Sequence, residues 1–129
     1  MYKELVIIII IIVLVIVGNI ITQNNTNKTV KTMSEELDAF KNEISNENVN
    51  NIEAQNNIKK ISDTWDEKLE TLAYYIEHDE LEKVTTELTK SKADVETENY
   101  DFAVENLNNC IFILEHIKDK SALKIVNIF

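Results

Sequence analysis

The chain is poor in the residues that make tight turns and in the residue best suited to binding phosphate. Its 129 residues include one glycine, Gly18, no proline and one cysteine, Cys110, and all 13 basic residues are lysines. Since Gly and Pro dominate hairpin turns, their scarcity argues against a fold built from strands. A single cysteine cannot form an intramolecular disulfide, and the absence of arginine removes the usual bidentate partner of phosphate.

The balance of charge excludes one class of partner. The formal net charge is -10, and residues 1–21 contribute one lysine and one glutamate, so the whole excess lies in the remainder of the chain. Such an acidic surface is repelled by the phosphate backbone, and nucleic-acid binding is therefore not expected. Residues 22–129 have the length of one domain with a modest core.

One long apolar stretch, Leu5–Ile21, contains no charge and is aliphatic except at Gly18 and Asn19. As a helix it would be about 25 Å long, at the short end of what crosses a hydrocarbon core of about 30 Å. In lipid a single segment must satisfy its own backbone hydrogen bonds, so this Ile/Val run is expected to be helical. The sequence predicts a transmembrane anchor over residues 1–21, in contact with the bilayer through Leu5–Ile21.

A cleaved secretory signal is the alternative interpretation of this stretch. The residues that follow it, GNIITQN, contain no small-x-small cleavage site, which favours a retained signal-anchor. Positive charges flank the apolar stretch on both sides: Lys3 and the α-amine precede it, and Lys28 and Lys31 follow it. The distribution of lysines therefore does not fix the orientation of the span in the membrane. The very short N-terminal tail favours a single-pass protein of the cell membrane with its soluble domain outside the cytoplasm.

Residues 22–29 are polar, and they form either a juxtamembrane linker or a helical continuation of the span. Residues 30–129 form an acidic domain in which apolar residues recur every three or four positions, as in amphipathic helices. The four stripes are Val30, Met33, Leu37, Phe40 and Ile44; Ile58, Ile61, Trp65, Leu69, Leu72 and Ile76; Leu81, Val84, Leu88 and Val95; and Phe102, Ala103, Leu107, Cys110, Ile111, Leu114 and Ile117.

Short connections between such helices predict an all-α fold: an N-terminal transmembrane helix followed by an up-and-down antiparallel bundle of about four helices. An extended coiled coil is the alternative, in which residues 30–44 continue from the span and pair between chains. Trp65 is expected in the centre of the core rather than in a ligand site. Cys110 is expected to be a buried apolar residue.

The ends of the helices carry three further expectations. Asp79 with Glu82 three residues later has the spacing of a capping box that opens the third amphipathic helix. Tyr74 and Tyr75 flank the preceding stripe and are expected to be half-buried. The closing segment, residues 121–129, is apolar enough to pack against the rest of the domain.

The residues able to bind a metal are few. In an alternating bundle His78, Glu80 and His116 would lie at one pole, where two imidazoles and a carboxylate could hold a cation. The simpler interpretation is that these residues occupy helix ends and a solvated face. Because no nucleophile has a base at motif spacing and no glycine-rich phosphate loop is present, we expect no catalytic residue, no cofactor and no enzyme activity.

Three short motifs stand out: WDEKLETLAYYIEHDEL over residues 65–81, with its W-x10-I-x-H-x-E-L junction, LEHI over residues 114–117, and the C-terminal NIF. They resemble those of an uncharacterised bacterial family of short single-span membrane proteins with a helical domain of unknown function. The resemblance implies a membrane-anchored, all-helical domain without a known activity. Members of such families tend to act beside larger membrane proteins.

Two functions of different classes follow from this sequence. The first is a membrane-anchored helical interaction or scaffold module, without catalytic activity and accessory to another integral membrane protein. The second is an extracytoplasmic sensory helical bundle that binds a divalent cation or a small ligand near His78 and His116. Whether the chain forms homo-oligomers is left open, although its span lacks the small-xxx-small face that brings membrane helices together.

Overall fold

The computed structural model describes the backbone of residues 1–128 and the side chains of residues 1–120. Within these residues the chain forms four helices and no strand: α1 (Tyr2–Ile44), α2 (Asn51–Leu72), α3 (His78–Glu96) and α4 (Tyr100–Ile128). The prediction of an all-α fold is confirmed. Helix α1 alone has 43 residues, which at the rise of an α-helix makes it roughly 65 Å long.

Residues 22–29 are helical and carry α1 without a break from the apolar stretch into the bundle. Three threonines in this polar segment donate hydrogen bonds to the carbonyl oxygen four residues earlier: Thr22 to Gly18 (2.8 Å), Thr26 to Thr22 (2.9 Å) and Thr29 to Asn25 (2.9 Å). These bonds satisfy the hydroxyls within the helix, and each shares a carbonyl acceptor with the backbone, an arrangement that slightly weakens a helix without ending it. The segment is thus the helical continuation, while the division at residues 21 and 29 stays a prediction.

The four helices form an up-and-down bundle in which each helix packs against two others. Helix α1 contacts α2 and α4, and α3 contacts the same two helices. Side-chain hydrogen bonds fix the antiparallel registers: Asn57 donates to Glu43 (3.0 Å), and Ser34 donates to Glu115 (2.9 Å). Residues 30–44 do continue from the apolar stretch, as the coiled-coil alternative required, but they pack against helices of the same chain.

The predicted apolar stripes supply the core. Its buried members are Val30, Met33, Leu37, Phe40, Ile44, Ala54, Ile58, Ile61, Trp65, Leu72, Ile76, Leu81, Val84, Leu88, Val95, Ala103, Leu107, Cys110, Leu114 and Ile117. Leu69 and Ile111 are only partly buried. Phe102 is 57% exposed, so its placement in the core was wrong. Adjacent helical residues are about 100° apart around the axis, and Ala103 rather than Phe102 faces the core.

Trp65 lies in the centre of this core, as predicted, with 1% of its surface exposed. Its indole Nε1 donates a hydrogen bond to Thr85 Oγ1 at 2.8 Å, and that hydroxyl donates to the carbonyl oxygen of Leu81 at 3.0 Å. A buried indole needs a partner for its one donor. The bond therefore joins α2 to α3 and satisfies the only polar group of the largest core residue.

The start of α3 differs from the predicted capping box. Helix α3 begins at His78 with Glu77 at its N-cap, without a side-chain capping bond, and Asp79 lies in the first turn. The backbone N–H groups of Glu80 and Leu81 both donate to the Glu77 carbonyl. These bonds start the helix before Asp79, so Asp79 interacts with the helix dipole instead of capping it.

The turn before α3, residues 73–77, also differs in part. Helix α2 ends at Leu72, yet Ile76 stays buried, since its N–H bonds to the Leu72 carbonyl at 3.0 Å and continues the helical path. Tyr75 is half-buried as expected, whereas Tyr74 is 79% exposed, which corrects the prediction for that residue. The packing predicted for residues 121–129 lies outside the described side chains, although the backbone of α4 is helical to Ile128.

Candidate functional site

The two ends of the bundle differ in what lies beyond them. We call the end next to the apolar part of α1 the proximal pole; it contains residues 22–30 of α1, the turn at residues 73–77, the first turn of α3 and residues 114–128 of α4. Thr22 and Thr26 share an open groove there with Thr71 and Leu72 at the end of α2. The opposite end, with the connections at residues 45–50 and 97–99, is the distal pole.

Polar contacts close the distal pole. The side chain of Asn50 caps α2 by accepting a bond from the Glu53 N–H at 3.2 Å. Asn51 donates to Glu98 at 2.7 Å and accepts a bond from the Tyr100 hydroxyl. These groups tie the start of α2 to the end of α3 and the start of α4. The side-chain bonds of Asn50 and Asn51 therefore hold the helix ends of the distal pole together.

The proximal pole brings two of the three candidate metal ligands together. His116 Nε2 lies 3.9 Å from Glu80 Oε1. His78 is exposed at the first position of α3. Among the described side chains, no group of three or more His, Cys, Asp or Glu residues has the spacing to hold a metal ion. The sequence placed Glu80 and His116 at the same pole, and in the structure these two side chains do lie side by side.

Lys120 occupies the position beside these carboxylates and was missed by the sequence reasoning. Its Nζ lies 3.2 Å from Glu77 Oε1 and 3.4 Å from Glu80 Oε1. The signal that could have found it is its spacing, since Lys120 follows His116 by four residues and so shares its face of α4. The ammonium group supplies the positive charge that a metal ion would otherwise bring.

The electrostatics of this cluster favour a charged lysine. The hydrogen bond to Glu77 and the nearby charge of Glu80 raise the pKa of Lys120 above its usual value. Glu77 is mostly exposed, so solvent screens the pair and its contribution to stability is small. A divalent cation bound by Glu77 and Glu80 would have to displace this ammonium. The arrangement at the proximal pole is that of an ion-pair cluster between α3 and α4.

Cys110 is buried, as predicted, and its environment opposes ionisation. Burial, together with the charge of Glu87, raises the pKa of its thiol to about 12. Its Sγ lies 3.9 Å from the carbonyl oxygen of Val84. Since the thiolate is the reactive form, a thiol with this pKa and no exposure is chemically inert at neutral pH.

Among the described residues of the bundle, three exposed aromatic side chains are the other notable feature of the surface. Tyr74 at the proximal pole, Phe102 and Phe112 on α4 are 79%, 57% and 74% exposed. Phe112 lies two residues from both Cys110 and Leu114, which are buried, and this spacing already places it on the outer face of the helix. Aromatic residues are enriched in protein interfaces and at membrane surfaces. These residues are candidates for contact with a partner.

The fold defines a class of protein: a four-helix bundle whose first helix extends into a long apolar segment. Within that class, the chain belongs to the family described as a domain of unknown function, DUF4363, which matches residues 20–128. No curated protein and no solved structure matches the chain. The family region begins at Ile20 and ends at Ile128, so it includes the bundle half of α1 and all of α4. Membership confirms the resemblance to an uncharacterised family.

Proposed function

We propose that this protein is a single-pass, membrane-anchored helical interaction module without catalytic activity, and that it is accessory to another integral membrane protein. The observation that carries the proposal is the continuity of α1. One helix exposes an uninterrupted aliphatic surface over its first half and forms one wall of the bundle over its second half. A bilayer in contact with the first half would hold the bundle directly at the membrane surface.

The argument for an anchor rests on exposure around the whole helix. Every residue from Leu5 to Val17 is exposed in the structure, and α1 is the one described helix long and apolar enough to cross a membrane. A helix that is apolar on all sides requires an apolar environment on all sides. A cleaved signal has the same composition, but cleavage within residues 18–24 would cut an α-helix close to Thr26, which is already buried in the bundle.

The proposed topology places the bundle outside the cytoplasm. Ser45 lies exposed at the distal pole, so a cysteine at this position would be open to solvent. A membrane-impermeant maleimide should label the Ser45→Cys variant in intact cells. The native chain is the control, because Cys110 is buried and its thiol pKa is about 12. Labelling that requires cell lysis would reverse the proposed orientation.

The partner surface we propose is the outer face of α4 around Phe112. Mild-detergent purification with crosslinking and mass spectrometry should recover a multi-span companion from native membranes. Recovery should fall with Phe112→Ala and persist with Asn108→Ala, a matched exposed position on the same helix. A charged substitution at a core position such as Leu81, which is 2% exposed, would not test partner binding, because a buried charge would unfold the bundle. A homodimer as the sole product, retained after deletion of residues 22–129, would contradict the proposal.

The absence of catalysis is supported by the state of the reactive groups. The one thiol is buried with a raised pKa, and the imidazole of His116 lies against the Glu80 carboxylate. Glu77 and Glu80 are paired with Lys120. These groups act as structural elements of the bundle.

A sensory bundle is the second candidate, and the contact between His116 and Glu80 at the proximal pole favours it specifically. A cation bound there would reach α3 and α4 close to the membrane. Thermal unfolding of the detergent-solubilised chain with and without Zn²⁺ separates the two functions, because a ligand of the native state raises the melting temperature. The interaction module predicts no rise. A rise that disappears in His116→Ala would support the sensor.

A further inference from the structure

The register of α4 against α1 sets the height at which the chain ends. Ser34 on α1 bonds to Glu115 on α4 at 2.9 Å, and the two helices run in opposite directions. Each step of one residue along α4 beyond Glu115 is therefore matched by a step of one residue back along α1 from Ser34. Ile128, which ends α4, is thirteen residues past Glu115 and lies level with Ile21, thirteen residues before Ser34. Helix α4 thus reaches the end of the apolar stretch.

The turn between α2 and α3 lies slightly farther from the apolar stretch than the end of α4 does. The bond between Glu43 and Asn57 aligns the end of α2, at Leu72, with Lys28 of α1. Tyr74, two residues later, is then about 5 residues and roughly 8 Å above Ile21. The headgroup layer of a bilayer is about 5 to 8 Å thick on each side. An exposed tyrosine at this height is in the position that aromatic residues favour at membrane surfaces.

The shortness of the span lowers the bundle further. A 17-residue stretch of about 25 Å is shorter than a hydrocarbon core of about 30 Å, and a short span draws its flanking residues toward the bilayer. The flanking residues here belong to the proximal pole, because α1 continues into the bundle without a break. With the apolar stretch in a bilayer, this mismatch would draw the proximal pole toward the headgroups.

The composition of the last segment suits that environment. Residues 121–129, SALKIVNIF, contain six apolar residues and one charge, Lys124. A lysine can extend its amine to the headgroups while its methylene chain stays in an apolar layer.

We propose that the proximal pole is a second, shallow membrane contact, in which the end of α4 and Tyr74 enter the headgroup layer of the leaflet that the span leaves. The occupant of this surface is the bilayer itself, since the surface is continuous with the span and lies at headgroup height. The proposal rests on the proposed membrane anchor. It extends that anchor from one helix to a three-point attachment, through α1, α4 and the turn at residues 73–77.

Depth-dependent fluorescence quenching of the full-length chain in phosphatidylcholine vesicles tests this proposal. An environment-sensitive maleimide probe is placed in turn at Ile12→Cys, Tyr74→Cys, Ile128→Cys and Ser45→Cys, with the native chain as the blank. The quencher is a nitroxide on lipid acyl chains, placed just below the headgroups for the probes at Tyr74, Ile128 and Ser45 and near the end of the acyl chain, at the bilayer centre, for the probe at Ile12. Quenching at Tyr74 and Ile128 should exceed that at Ser45 by about fivefold, since Ser45 lies 24 residues, or roughly 36 Å, above Ile21.

The outcomes separate this proposal from the anchor on which it rests. An unquenched probe at Ile12 would show that the span is not in the bilayer and would overturn both proposals. A quenched probe at Ile12 with either Tyr74 or Ile128 at the level of Ser45 would overturn the second contact alone. A probe at Ile128 that is shielded from water yet not quenched by lipid would place a protein surface there instead, and would also overturn it.

Discussion

The two halves of α1 are one continuous helix with opposite surroundings. From Leu5 to Val17 every side chain is exposed, although all are aliphatic. The other half, from Thr26 onward, buries a single stripe and exposes the rest; its buried residues are Thr26, Val30, Met33, Ser34, Leu37, Phe40 and Ile44. The comparison shows that the pattern of apolar residues, rather than helicity, decides what each half must contact. The stripe is covered by the bundle, and the uniform half is long and apolar enough to cross a membrane, the environment that we propose for it.

Removal of the uniform half should have the largest effect. A chain lacking residues 2–19 is expected to move from the membrane fraction to the soluble fraction, because the apolar span is gone and the shallow contact proposed for the proximal pole does not hold the chain by itself. Its circular dichroism should remain strongly helical, since the core residues all lie after the deleted segment, from Val30 onward. Fractionation of cells and spectra of the purified fragment measure both. A truncated chain that stays in the membrane would show that the bundle half carries the attachment.

A matched pair of leucines tests the contrast within α1 itself. Leu37 is fully buried and Leu14 is 65% exposed. Leu37→Ala should lower the free energy of unfolding by about 2–5 kcal/mol, the usual cost of emptying a core leucine site. Leu14→Ala should leave the stability of the bundle unchanged. Chemical denaturation in detergent, followed by Trp65 fluorescence, gives both values. Equal losses would mean that the two halves share one packed environment.

The bundle half should also respond to alkaline pH through Cys110. The pKa of this thiol is about 12 in the folded chain and 9.0 without the protein environment. Between these values the unfolded chain loses a proton that the folded chain keeps, so stability falls as pH rises, by about 1.4 kcal/mol per pH unit. Below pH 9 the thiol contributes no pH dependence. The free energy of unfolding, measured from pH 8 to 11 for the native chain and for Cys110→Ala, isolates this contribution. If the two free energies changed with pH in the same way, the thiol would be in contact with water rather than buried.

Much of the core could be predicted because its signal is periodic. The stripes from Val30 to Ile117 recur every three or four residues, and this spacing identifies both the helices and their inner faces. The same periodicity explains the error at Phe102, which lies one residue outside the stripe of α4. For the functional site the sequence placed Glu80 and His116 together, since both positions follow from an alternating bundle.

The features that the sequence did not predict depend on tertiary contacts. The sequence left residues 22–29 open between a linker and a helical continuation, because Asn is a weak helix former; in the structure the segment is helical and Thr26 is buried in the bundle. Lys120 was missed because its partners, Glu77 and Glu80, belong to another part of the chain. Asp79 has the spacing of a cap, but backbone bonds to Glu77 start α3 earlier.

One continuous helix joins the apolar stretch to the bundle, and a distance measured across the polar segment depends on this continuity. Spin labels at Ile12→Cys and Asp38→Cys, in the full-length chain in lipid nanodiscs, are 26 residues apart. Double electron–electron resonance should give a narrow distribution near 39 Å, the length of that many residues of α-helix at about 1.5 Å each. A broad distribution centred at a shorter distance would show a flexible linker at residues 22–29 and would rule out a continuous α1.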